Sequence, residues 1–213
     1  MGIRVSNVRR WWLAAALIVW ALALVTAYGV LLRYQSTSGA AGDPPPQWPA
    51  DAPLARAKSG KTVLLLAHPR CPCTRATLRE LEIVVANRPD WDRVRVLFFR
   101  PRDAGEPWIQ SDIVQQAKSM TGVEVAWDDD GRIAALFGAR TSGHILVYDE
   151  RGALEFTGGV TAFRGHEGVN AGRDTLIALA HGEAAPRSRT PVFGCPLFTP
   201  QDAAKAPKGE APR

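Results

Sequence analysis

Cysteine is scarce in this chain of 213 residues, which carries only Cys71, Cys73 and Cys195. Three are too few for a fold held together by disulfides. A structural zinc site asks for about four ligands in pairs. Here His68 and the three cysteines are the local candidates, and their spacing fits no familiar zinc pattern. Charge of one sign is not concentrated either. The net charge of +5 is spread along the chain with no dense basic run, so nucleic acid is not an expected partner. No internal repeat is visible. With 46% hydrophobic and 22% charged residues, the chain can build the core of one ordinary domain with extensions.

Charge is missing altogether from residues 11–32, WWLAAALIVWALALVTAYGVLL. About 20 apolar residues cross a bilayer, whereas the apolar part of a signal peptide is about 7–15 residues long and is followed by a small-residue cleavage site. No clean site follows here, so the segment reads as an uncleaved transmembrane anchor with Trp11, Trp12 and Tyr28 near its ends. Arg4, Arg9 and Arg10 precede it, and only Arg33 follows closely. The positive-inside rule then places residues 1–10 in the cytoplasm and the domain outside, in the periplasm of a bacterium, where disulfides persist.

Residues 33–60, rich in Ser, Gly, Ala and Pro around Pro44-Pro45-Pro46, read as a tether, extended at the prolines and flexible on either side. The folded domain is expected over residues 61–182. Thr62 to Ala67 is an apolar run of the kind buried on both faces of a sheet. From Thr74, Leu78, Leu81, Val84 and Val85 recur at helical spacing, with Arg75, Arg79, Glu80 and Glu82 between them on the polar side. Further strands are expected at Val94–Phe99, Val123–Trp127, His144–Tyr148 and Ala153–Thr157, the last two forming a hairpin across Asp149-Glu150-Arg151-Gly152. Helices are expected at Ser111–Met120 with Ser111 as N-cap, at Arg132–Phe137 closed by Gly138, and at Arg173–His181. Asp128-Asp129-Asp130-Gly131 is a candidate cation site but reads better as a turn. Strands alternating with helices imply parallel pairing, and the hairpin makes the sheet mixed. Residues 183–213 form a polar tail interrupted by the apolar island TPVFGCPLF around Cys195.

The chemistry is expected at Cys71-Pro72-Cys73. Pro72 suits the first helical turn, which places both thiols at a helix N-terminus where free amides and the macrodipole favour a thiolate. Arg70 and Arg75 lie close by. A Cys-x-Cys disulfide closes a small strained ring, and strained disulfides tend to be labile and oxidising. If the hairpin runs antiparallel to the first strand, His144 starts at the cysteine end. Arg164, His166, Glu167, Asn170 and Arg173 would then line the rim, with His166 as acid–base partner and the arginines holding an anion.

The order strand, cysteine motif, helix, and later FGARTSGHILVYDERGALEFTGG, resembles the thioredoxin fold over residues 61–182. It is most similar to the membrane-tethered TlpA/ResA branch. HPRCPCTRATL, TSGHILVYD, GGVTAFRGHEGVNAGR and FGCPL together resemble thioredoxin-like proteins labelled RedB. The resemblance implies an α/β domain with a central mixed sheet flanked by helices, and thiol–disulfide exchange with a protein partner, with no cofactor. Two departures stand out. The usual motif has two residues between its cysteines, so matching prolines puts Cys73 at the resolving position and Arg70 at the attacking one, while matching first cysteines makes Cys71 the nucleophile. The position of the family's cis-proline is Gly143 here. Cys195 is expected to fold back as a third redox partner. A copper-handling protein using Cys-Pro-Cys with His68, His144 or His166 is the alternative, since soft thiolates and imidazoles suit Cu(I); a thioredoxin-like domain that only binds a partner is another.

Overall fold

A computed structural model describes residues 3–87 and 91–198, apart from the side chains of residues 3–7 and Pro107; residues 199–213 of the expected tail lie outside it. The chain falls into two units, residues 1–37 and 38–213. The first is a single helix, α1 (Ile3–Ser36), within which Val8–Ser36 is long and apolar enough to cross a membrane.

The second unit is built on five strands. These are β1 (Lys61–Ala67), β2 (Trp91–Arg100), β3 (Val123–Asp129), β4 (His144–Tyr148) and β5 (Leu154–Gly158), in the spatial order β3-β2-β1-β4-β5. β1 pairs in parallel with β2, and β2 with β3; β4 lies antiparallel to β1, with Leu66 opposite His144, and β5 antiparallel to β4. The mixed sheet is the expected one.

Alternation along the strands separates two cores. Val63, Leu65, Val96, Phe98, Ile145 and Val147 face one side, against Leu78, Leu81 and Val84 of α2 (Pro72–Ala86), Ile113, Val114 and Ala117 of α4 (Asp112–Ser119), and Leu176 and Leu179 of α6 (Ala171–Ala180). Leu64, Leu66, Leu97, Phe99, Leu146 and Tyr148 face the other, against Ile133 and Ala134 of α5 (Arg132–Leu136), with Trp108 of the one-turn helix α3 (Glu106–Ile109) packed alongside. Both faces are covered, which is why the strands are apolar throughout rather than alternating. Removing one such side chain, as in Leu65→Ala, costs roughly 2–5 kcal/mol.

The stretch read as a tether is different from its expectation. From residue 38 onward it lies along the second face of the domain. Gly39 N–H donates to Val192 O (2.8 Å), Asp43 N–H to Gly138 O (2.9 Å), Trp48 N–H to Gly152 O (2.7 Å), and Tyr148 Oη–H to Pro45 O (3.0 Å). The Trp48 ring meets Phe137 edge-on at 4.9 Å and Tyr148 at 5.3 Å. The prolines still extend the chain, but its backbone groups and one tryptophan find partners in the domain, so it is a strap. The acidic triplet also has an internal use. Asp128 is buried and caps α5, accepting from Ile133 N (2.7 Å) and Ala134 N (2.8 Å), while Asp129 pairs with Arg100 and Asp130 with Arg102.

Candidate functional site

β1 releases the chain at Ala67 at the centre of the sheet, and a short turn brings it to Cys71, the N-cap of α2, with Pro72 in the first turn. Cys71 N–H donates to His68 O (3.1 Å), and Thr74 N–H to Cys71 O (3.0 Å). The segment before β4 arrives at the same end. Ser142 holds the turn there: its Oγ accepts from His68 N (2.8 Å) and shares a hydrogen bond with Thr74 Oγ1 (2.8 Å). Gly143 N–H donates to Leu66 O (2.9 Å) at φ +92°, a left-handed conformation that suits glycine.

A third segment closes the site. The apolar island runs antiparallel to residues 140–142, with Ser142 N–H donating to Cys195 O (2.8 Å) and Leu197 N–H to Arg140 O (2.9 Å). Arg164 donates a short hydrogen bond to Gly194 O. Val192, Phe193 and Leu197 are buried. Cys195 N–H then points at Cys71 Sγ, 3.3 Å away. Three thiols from two parts of the chain meet here, Cys71 and Cys73 from the turn and Cys195 from the tail; all are free, and Cys71 is only 1% exposed.

Their ionisation is unequal. The Cys73 thiol hydrogen-bonds Cys71 and stabilises its thiolate; burial opposes this, and the Cys195 thiol and amide add to the stabilisation. The result holds Cys71 down to about 4 from an ordinary 9.0. The same hydrogen bond, with burial, pushes Cys73 far up, and burial followed by its bond to Cys71 pushes Cys195 up to about 11. Arg164 lies near enough to oppose both rises. One thiolate with two protonated neighbours is the arrangement for nucleophilic attack followed by resolution.

The expected rim assembles only in part. Arg164 reaches the site. Arg75 pairs instead with Asp112 (2.5 Å), and Arg70, exposed, stacks its guanidinium over Trp108 at 4.3 Å. His144 does begin β4 at the cysteine end, but its ring is buried: Nε2 bonds Thr157 Oγ1 (2.7 Å), and burial, with Arg189 as a lesser cause, pushes it down to about 4. His166 is exposed, with its ring against Phe163. Asn170 caps α6 through Arg173 N (3.0 Å), Glu167 pairs with Arg79 (3.3 Å), and Arg173 turns inward to Glu80 (2.9 Å). The loop is thus fastened to α2. Glu80, assigned to the polar side of that helix, is buried at 1% exposure and also accepts from Gly168 N (2.6 Å). Its spacing of four from Ala76 and Val84, both buried, is the signal that reveals it.

His68 accepts Arg70 N–H at Nδ1 (3.1 Å), and among the described residues no three His, Cys, Asp or Glu side chains are grouped to hold a metal ion.

No protein-family model and no curated protein matches the chain. Solved structures do. An uncharacterized conserved protein from Geobacillus kaustophilus aligns at 17% identity and a TM-score of 0.50, over 78% of this chain and 94% of its own. A secreted Mycobacterium tuberculosis disulfide oxidoreductase homologous to E. coli DsbE aligns at 22% identity and 0.39, over 58% and 81%. The exposed lipoprotein thioredoxin of Streptococcus pneumoniae aligns at 19% and 0.42, over 59% and 86%. The sheet order, with a cysteine turn leaving the central parallel strand and an antiparallel hairpin returning beside it, decides the architecture. The fold is thioredoxin-like. Gly143 stands in this thioredoxin-like domain at φ +92°, and no cis peptide bond occurs among the described residues.

Proposed function

We propose that the chain is a membrane-tethered thiol–disulfide oxidoreductase whose domain works outside the cytoplasm, with Cys71 as the attacking thiolate. The observation that carries this reading is the convergence of Cys73 and Cys195 on Cys71 at the start of α2, one ionised sulfur between two protonated ones. Arg4, Arg9 and Arg10 ahead of the apolar helix, against Arg33 alone just after it, support the outward orientation.

In the reaction, Cys71 Sγ⁻ attacks one sulfur of a partner disulfide. The partner's other sulfur leaves with the bonding pair and takes up a proton. A neighbouring thiol, Cys73 in the motif or Cys195 opposite it, loses its proton and attacks Cys71 Sγ in the mixed disulfide. This releases the second partner sulfur as a thiol. The partner disulfide is reduced to two thiols and two protein thiols are oxidised to one disulfide; run backwards, the same steps oxidise a partner.

The test uses the full chain in detergent, reduced and then incubated with glutathione disulfide, alkylated and weighed by mass spectrometry. Loss of two hydrogens with protection of two sulfurs from alkylation is expected, and Cys71→Ser should abolish it. If none of the three sulfurs ever pairs, the redox reading fails.

A further inference from the structure

A thiolate that must meet an external disulfide is here covered by the chain's own tail. Residues 191–198 lie over Cys71, and their manner of attachment is that of a bound peptide rather than of a sheet strand or helix. Around Pro196 the backbone is paired antiparallel to residues 140–142 through Ser142 N–H to Cys195 O and Leu197 N–H to Arg140 O, with a bridge between Thr141 and Pro196. Cys195 sits opposite Cys71. Two residues before it, Phe193 packs against Phe163 (6.2 Å); two residues after it, Leu197 joins the cluster of Leu66, Leu97 and Phe99. Between them, a Cβ on Gly194 would come within 1.9 Å of Ser142 O, so the approach needs glycine. The root of the segment is held separately, by Thr157 N–H to Ser188 O (3.0 Å) and Thr190 N–H to Thr157 O (3.1 Å).

We infer that residues 191–198 are an internal stand-in for the partner's peptide. The external partner is an extended cysteinyl segment of the same pattern, with glycine before the cysteine and a large apolar residue two positions away on either side, and it displaces the tail to reach Cys71. This rests on the oxidoreductase reading and adds the partner's form to it. When the partner is bound, Cys71 Sγ⁻ attacks its disulfide sulfur, a Cys71–partner disulfide forms, and the partner's second sulfur leaves as a thiolate. Cys195 moves away with the tail as a free thiol. Both hydrogen-bond positions of residues 140–142 pass from the tail to the partner, so the exchange leaves neither of those two groups unpaired.

The experiment uses full chains carrying Cys73→Ser and Cys195→Ser, so that Cys71 is the reacting sulfur. The probe is a synthetic peptide of residues 190–198 whose cysteine is joined to thionitrobenzoate, and release of the coloured thiolate reports attack. Adding Gly194→Ala, which lifts the tail from Ser142 O, is expected to speed release about tenfold or more. A peptide with aspartate in place of Leu197 should then react about tenfold more slowly than the parent. Leu197→Ala in the chain serves as a second opening variant if Gly194→Ala fails to fold. Equal rates with the tail in place and lifted, or no preference between the two peptides, would overturn the inference. Exchange with glutathione disulfide is run beside it. Glutathione exchange without peptide preference removes this inference alone; no exchange with either removes the oxidoreductase reading as well.

Discussion

Cys195 donates its backbone N–H to Cys71 Sγ at 3.3 Å, joining residues 124 apart in the chain. With the Cys73 thiol on its other side, Cys71 is supplied with hydrogen bonds that a neutral thiol would use poorly and a thiolate uses well. One thiolate per chain is therefore expected at neutral pH, visible by its ultraviolet absorbance and protonating with a midpoint near 4. Cys73→Ala removes the largest stabilising cause and should raise that midpoint by about one unit or more. The three thiols titrate as a set, so the absorbance change belongs to the cluster, and Cys71→Ser should remove the acidic step. A first ionisation near 9 in the unaltered chain would contradict the arrangement.

Much of the domain was legible because its signals are local. β1 and β4 carry apolar residues on both faces, Ser111 stands as the N-cap of α4, accepting from Val114 N (3.3 Å), and Asp149 to Gly152 make the hairpin turn. The strap was not legible. Pro, Gly and Ala in residues 38–60 read as a linker, and the reasons for its order lie far along the chain. Gly42 is small because the ring of His144 lies where a Cβ would go, and Trp48 is placed by Phe137 and Tyr148. α3 is a single turn, too short to show a period. At the site, the cysteine turn announced itself, but Ser142, which ties the turn to the β4 approach, carries no motif of its own. Topology placed His144 at the cysteine end, but its ring partner Thr157 lies on another strand, and Arg75, expected beside the thiols, pairs with Asp112.

Gly143 stands where the backbone excludes proline, and placing proline there should fail. Its φ of +92° is closed to a proline ring, and its N–H is used by Leu66 O. A Cβ would also stand 3.1 Å from Thr77 Oγ1. Gly143→Pro is expected to lower stability by roughly 3 kcal/mol or more in a urea titration. An unchanged midpoint would show that this segment can adopt another conformation.

Glu80 and Arg173 tie α2 to α6 across the core, at 1% exposure for Glu80 and 14% for the Arg173 side chain. Glu80→Ala leaves a guanidinium and the Gly168 amide without their acceptor inside the protein, and should cost roughly 3–5 kcal/mol by denaturant unfolding. Replacing both residues by methionine removes the stranded charge as well as the pair, so much of the loss should return. A single-variant loss below about 1 kcal/mol would mean water reaches the pair.

Asp128 gives the fold a pH dependence of its own. Burial raises its carboxyl to about 6, helped by the charges of Asp129 and Asp130, while the Ile133 and Ala134 amides pull the other way. The folded value lies above the unfolded 3.8, so between those limits the folded protein binds more protons than the unfolded chain. The contribution is therefore complete below pH 3.8 and is lost as the pH rises through about 6. At 1.36 kcal/mol per pH unit this amounts to about 3 kcal/mol. Unfolding free energies of the unaltered chain and Asp128→Asn, taken from pH 4 to pH 7, should differ in slope, with the asparagine variant lacking this loss. The variant keeps one acceptor for α5 and sets an amide N–H against the other donor, costing about 1 kcal/mol at every pH. Parallel curves would show that Asp128 stays ionised in the folded protein, with its two amide bonds outweighing its burial.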